Sequence, residues 1–153
     1  MRRLGASIAL LGFVAGLLTP LAAGADLDRN YRATNTMRVN YIPGYPGMFE
    51  VFHRMNAAAP DYWCAAADYV RRFAPDKGRT PIYVLRGVGR GVTLPNQRSV
   101  VFTVAPSPEV EASSEAATGL SLSVSNVGER RTAAHGFTGC TDSRRKFRRG
   151  GFR

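Results

Sequence analysis

Between Pro60 and Phe73 the chain carries an apolar stripe at helical spacing, Trp63, Ala66, Ala67, Val70 and Phe73, while on either side apolar residues recur with the period of a strand. One amphipathic helix among β segments is the strongest constraint on the fold, because the helix must bury its stripe against a sheet. Pro60 and Asp61 read as its start, the proline fitting the first turn and the carboxylate accepting from free N–H groups. Pro75 stops it, and Arg71 and Arg72 complement the dipole at its C-terminus. Asp61, Ala65, Asp68, Arg71 and Arg72 fall on the outer side, with Asp68 and Arg72 forming an i,i+4 pair.

Before the helix, Met37, Val39 and Tyr41 alternate with Arg38 and Asn40, so residues 36–42 are expected to form a half-buried strand. Pro43-Gly44 and Pro46-Gly47 each place φ near −65° ahead of a residue that tolerates φ > 0, which predicts a turn and, with 48–53, a hairpin. After the helix, 81–86 and 98–104 are rich in Ile, Val, Tyr and Phe and read as two further strands around a Gly-rich loop. Residues 26–33 are expected on the surface and 105–118, with Pro106 and Pro108, as a linker. Leu120, Leu122 and Val124 alternate with serines as a one-sided strand does, and beyond Val127 an irregular basic region is anchored by Cys140. The expected class is α+β: one main helix packed on a small antiparallel sheet of four or five strands, with a single disulfide.

The first twenty-five residues lie outside this pattern. Arg2 and Arg3 precede an apolar run from Leu4 to Leu18, and Ala23-Gly24-Ala25 closes it. That is the order of a Sec-type signal peptide, cleaved after Ala25. Fifteen residues make only about 22 Å of helix, short of a membrane core, and no later run is long enough to span one, so the mature chain is expected without a transmembrane segment. The expected division is 1–25 signal peptide, 26–143 α+β domain and 144–153 basic, disordered tail. At 153 residues in total, one core is the expected number.

Twenty-one Lys and Arg against 11 Asp and Glu give the full chain a net charge of +10. Its distribution matters more than its sum: residues 144–153 hold Arg144, Arg145, Lys146, Arg148, Arg149 and Arg153 with no carboxylate. This makes them the candidate contacts for an anionic envelope surface, lipid or polysaccharide, with Phe147 and Phe152 between them; the alternative is a solvated tail. Nucleic acid, the usual partner of such a tail in the cytoplasm, is not expected of an exported chain.

Cys64 and Cys140 are the only two cysteines. In an oxidising compartment they are most simply one disulfide, closing a loop of about 76 residues and contributing on the order of 4 kcal/mol. Two sharper readings compete with it: Cys64 as a nucleophile near the start of the helix, or a metal site from His53, Cys64, His135 and Cys140, which lacks a short paired spacing.

Known catalytic signatures fail one by one. The run Gly87-Val88-Gly89-Arg90-Gly91 follows a strand, but Val92 and the following Thr93-Leu94-Pro95 open no helix, so it reads as a hairpin loop rather than a dinucleotide cradle. The sharper alternative there is an anion nest near Arg86, Arg90 and Arg98. Gly119-Leu120-Ser121-Leu122-Ser123 lacks the last glycine of a nucleophile elbow. Glu109, Glu111 and Glu115 form no converging pair, and Tyr41, Tyr45, Tyr62 and Trp63 read as core and turn packing before a sugar platform. No catalytic residue, metal or cofactor is assigned.

Tyr62-Trp63-Cys64-Ala65-Ala66-Ala67-Asp68-Tyr69, with Phe49-Glu50-Val51 before it and Ile82-Tyr83-Val84 and Val100-Val101-Phe102-Thr103 after it, resembles a group of small exported proteins of alphaproteobacteria (Rhodobacterales-like) that have no assigned activity. The resemblance covers about residues 36–104 and implies a signal peptide and a paired C-terminal cysteine. The expectation is a periplasmic or secreted protein acting as a non-enzymatic binding or envelope-associated module, with a secreted hydrolase or redox enzyme as the alternative.

Overall fold

The computed structural model describes residues 30–74, 76, 78–116 and 122–150, with backbone alone for 115, 116 and 142–150. Residues 1–29, which include the expected signal peptide, lie outside the described part. The described strands are β1 (Tyr31–Arg32), β2 (Arg38–Tyr41), β3 (Met48–Phe52), β4 (Pro81–Arg90), β5 (Arg98–Thr103) and β6 (Arg130–Thr132). They form one sheet in the order β1-β2-β3-β5-β4-β6, every neighbouring pair antiparallel. The helices are α1 (Ala59–Phe73), α2 (Pro108–Ala116) and α3 (Ala133–Gly150). The α+β class and its disulfide are thus as expected.

Local chemistry explains the elements that the sequence made legible. The β2–β3 hairpin turns at Gly44 and Gly47, whose φ angles of 81° and 80° suit a residue without a Cβ. Alternation then sends Phe49 and Val51 of β3, and Val100 and Phe102 of β5, toward α1. There Phe102 meets Trp63 edge-on at 5.2 Å and stacks on Phe49 at 5.8 Å, and Tyr69 and Phe73 extend the aromatic core to Tyr31. At the start of α1 the Asp61 carboxylate accepts from the Ala58 N–H at 2.8 Å, satisfying a donor that the helix leaves free.

α1 is covered on three sides, which corrects the expectation of a solvent-facing outer side. One side lies on the sheet. A second, with Asp61, Ala65 and Asp68, lies under residues 31–36: Asn35 donates to the Asp61 carbonyl at 2.7 Å, and Tyr31 OH and the Thr34 N–H both donate to the Asp68 carboxylate. The third receives α3. The small residues Gly136, Gly139 and Cys140 run antiparallel along Ala67, Pro60 and Cys64, which brings the two backbones close.

Several expectations need correction. The irregular region after Val127 is instead β6 followed by α3, whose start is capped by the Thr132 hydroxyl accepting from the His135 N–H at 3.2 Å. The helical backbone of α3 is described to Gly150, across the first residues of the expected basic tail; residues 151–153 lie outside the described part. The linker at 105–118 contains α2, a polar helix that buries Val110. The strand expected over 120–124 is not formed at Leu122 to Val124; Leu120 and Ser121 lie outside the described residues. The edge of β4 is taken instead by Gly128 and Glu129, which bond Val84, and then by β6. Residues 31–32 form β1 rather than free surface, and Ala33 is buried. The Gly-rich run belongs to β4 up to Arg90, through two register shifts, and the loop of the hairpin is 91–97.

Candidate functional site

The turn 33–37, the loop 53–58 and the hairpin loop 91–97 meet at one end of the sheet, where α1 begins. Hydrogen bonds tie them together. Arg54 Nη1 donates to the Asn35 carbonyl at 2.9 Å and to Thr36 Oγ1 at 3.0 Å, Arg38 Nη2 donates to Gln97 Oε1 at 2.7 Å, and the His53 N–H donates to the Arg98 carbonyl at 2.7 Å. Arg38 also lies over the Phe52 ring, 4.6 Å from its centroid. The result is a cross-tied pole carrying Arg32, Arg38, Arg54, Arg90 and Arg98.

Beneath it lies Glu50, a carboxylate with no solvent exposure. It sits on β3 with its side chain on the face away from α1, and the hairpin loop closes over it. The Val92 N–H and Ser99 Oγ donate to Oε2 at 2.7 Å each, and the Thr93 N–H (2.7 Å) and hydroxyl (2.5 Å) donate to Oε1. Burial pushes the carboxyl up, but the bonds from Thr93, Ser99 and the two amides together outweigh it and hold Glu50 below the ordinary carboxylate range. Asn40 extends the network by donating to Thr93 Oγ1 at 2.8 Å. Glu50 is therefore an ionised anchor that fixes the shape of loop 91–97, with both oxygens already engaged.

On the other side of the pole Tyr62 OH and His53 Nδ1 stand 2.5 Å apart, with Tyr62 buried and His53 at the surface. Burial chiefly pushes the Tyr62 phenol up; the nearby Arg98 cation opposes this and Asp61 adds to it. Tyr62 and Trp63 are buried and so are core residues, whereas Tyr45 is 58% exposed on the distant β2–β3 turn; the four aromatics form no common platform. Of the arginines of the alternative anion nest, the Arg86 guanidinium donates to the Arg90 carbonyl at 2.5 Å, while Arg90 and Arg98 face each other across the ladder.

Cys64 and Cys140 are joined, with Cα atoms 4.8 Å apart and both residues buried. This removes Cys64 as a nucleophile and both sulfurs as metal ligands. The two histidines have been placed apart: His53 lies beside Tyr62, and His135, on α3, has its Nε2 3.4 Å from Nη1 of Arg131 on β6. Arg131 in turn meets Glu129 at 3.6 Å and the Trp63 ring at 5.6 Å, a buried cluster that fastens β6 to the core.

Of the sequence-predicted cations, Arg144, Arg145, Lys146, Arg148 and Arg149 fall on the helical backbone of α3, with side chains outside the described residues; Arg153 lies outside altogether. Their backbone is nonetheless placed. Gly139 sits against Pro60, in the first turn of α1, so the antiparallel α3 runs on past the start of α1 toward the basic pole. Sequence reasoning missed the pole because its members are dispersed over residues 32–98; the one signal was the flanking of the Gly-rich run by arginines.

Among the described residues no helix is long and apolar enough to cross a membrane. Compared with known proteins, the chain matches no family model, no curated protein and no solved structure.

Proposed function

We propose that this is an exported, disulfide-stapled binding module of the cell envelope, without catalytic activity of its own. On this reading residues 1–25 direct Sec-type export with cleavage after Ala25, and the mature chain works in the periplasm or beyond it. The partner is an anionic envelope surface, met through Arg144, Arg145, Lys146, Arg148, Arg149 and Arg153. The same reading places the chain beside the small alphaproteobacterial exported proteins that its Trp63-Cys64-Ala65-Ala66-Ala67 helix resembles.

The observation that supports it most is the Cys64–Cys140 bond. It uses both cysteines of the chain, joins the two packed helices and is buried, which suits a structural staple in an oxidising compartment rather than an exchangeable redox pair. The testing experiment is the intact mass of the protein from the periplasmic fraction, before and after reduction and alkylation. The expected mass starts at Asp26, includes Arg153 and is two hydrogens light until reduction. Retention of Met1 with two free thiols would overturn the reading.

A further inference from the structure

We infer that the pole formed by loops 53–58 and 91–97 is itself a docking surface for an anionic lipid bilayer, with Arg90 and Arg98 as headgroup contacts and Met55 and Val92 as apolar anchors. This deepens the binding-module reading and rests on it, but it assigns the contact to the folded domain instead of the C-terminal residues alone.

Arg90 and Arg98 are direct cross-strand partners, a juxtaposition of like charges that weakens a ladder unless an anion relieves it. Both are exposed, and neither has a carboxylate within ion-pair reach among the described residues. The exposed described carboxylates, Asp76, Glu109 and Glu111, follow the opposite ends of α1 and β5, where Arg72, Arg79 and Arg130 also stand, so among the described residues the pole carries cations and no exposed carboxylate.

Apolar side chains at the same pole select among anionic partners. Met55 is 80% exposed and Val92 43%, each on a loop tip and each next to an arginine, at Arg54 and two residues from Arg90. A hydrated polysaccharide offers such side chains nothing, whereas the acyl boundary of a bilayer buries them while its headgroups meet the cations. The loops are held by the Glu50 network and by Arg54 and Arg38, so they are preorganised for the surface. The backbone of α3 runs on past the start of α1 toward the same pole.

The test is co-sedimentation of the full mature chain with vesicles of phosphatidylglycerol and phosphatidylcholine, against phosphatidylcholine alone and against soluble dextran sulfate. Binding is expected only to the anionic vesicles and is expected to weaken with salt. Arg90→Gln with Arg98→Gln is expected to lower the partition coefficient about twenty-fivefold, at roughly fivefold per cation. Arg90→Lys with Arg98→Lys should retain binding, and Met55→Ser with Val92→Ser should reduce it while the melting temperature stays unchanged. A chain lacking 144–153 should bind more weakly yet remain sensitive to the Arg90 and Arg98 changes. Wild-type binding by the glutamine and serine variants, lost only on deleting 144–153, would overturn this inference and leave the C-terminal contact standing. Retention by dextran sulfate without vesicle binding would replace the lipid by a polysaccharide, and absence of binding to any of them would overturn both readings.

Discussion

Gly139 of α3 lies so close to Pro60 of α1 that a Cβ on it would stand 2.8 Å from the Pro60 carbonyl oxygen. Gly136 repeats the approach one turn earlier, where a Cβ would meet the Trp63 carbonyl at 3.1 Å and Ala67 Cβ at 3.0 Å. Because backbone cannot yield as a flexible side chain does, Gly139→Ala is expected to cost about 1–3 kcal/mol and several degrees of melting temperature. Gly89→Ala, whose Cβ would find its nearest neighbour at 3.7 Å, is the control with ordinary contact. Thermal melts of the two variants check the comparison.

Cys64→Ser removes the staple and should lower stability by on the order of 4 kcal/mol, read as a shift in the urea midpoint. Reduction of the wild type should reproduce the shift. An unchanged midpoint would mean that the helix pair holds without the bond.

Glu50→Gln should destabilise the fold by roughly 3 kcal/mol, since a neutral amide cannot accept from donors at both positions. The pH dependence follows from the depressed folded-state value. The contribution of Glu50 is present above the ordinary carboxylate range, near pH 4.3, and is lost as pH falls through the lower folded value. Urea midpoints between neutral and acid pH should therefore converge for the wild type and the variant.

Tyr31 titrates at the other extreme. Burial first, then its hydrogen bond to Asp68 and the charge of that carboxylate, push its phenol up to about 12, against a smaller opposing pull from Arg72. Its stabilising contribution is complete below pH 10, the unfolded value, and disappears as pH rises through about 12. Ultraviolet titration of phenolate should lose its latest step in Tyr31→Phe.

Deleting 144–153 should leave the melting transition in place. The α3 residues seen against α1 include Gly136, Phe137, Gly139 and Cys140, all upstream of the cut. Loss of the transition would show that the basic stretch belongs to the core.

The legible parts of the fold were those that advertise themselves by apolar bulk. α1 has a stripe of large side chains between two prolines, and β2 to β5 alternate Val, Ile, Phe and Tyr. α3 was missed because most of its contact face is small: glycines that let backbones approach leave a weak stripe, and only the Thr132 cap and the helical spacing of Ala133, Gly136, Phe137 and Cys140 marked it. α2 was missed because, among its residues with described burial, Val110 is the one buried, behind two prolines that read as a linker. Period 2 places Glu50 on the face away from α1, yet its burial depends on a loop 42 and 43 residues further on curling back over it. The basic pole has the same origin: Arg54, Arg90 and Arg98 are brought together by strand order, which the pattern of apolar residues does not encode.

The Cys64–Cys140 bond also decides how the molecule responds to tension. β4, β5, α2 and β6 all lie inside the covalent loop of 76 residues, between the two helices that the bond joins. A pull on the two ends is borne by sulfur, so most of the sheet cannot be drawn out while the bond stands. Stretching the oxidised chain should stop about 260 Å short of the reduced one, at roughly 3.4 Å for each residue sequestered. Under load the protein behaves as two short extensible arms attached to an inextensible ring.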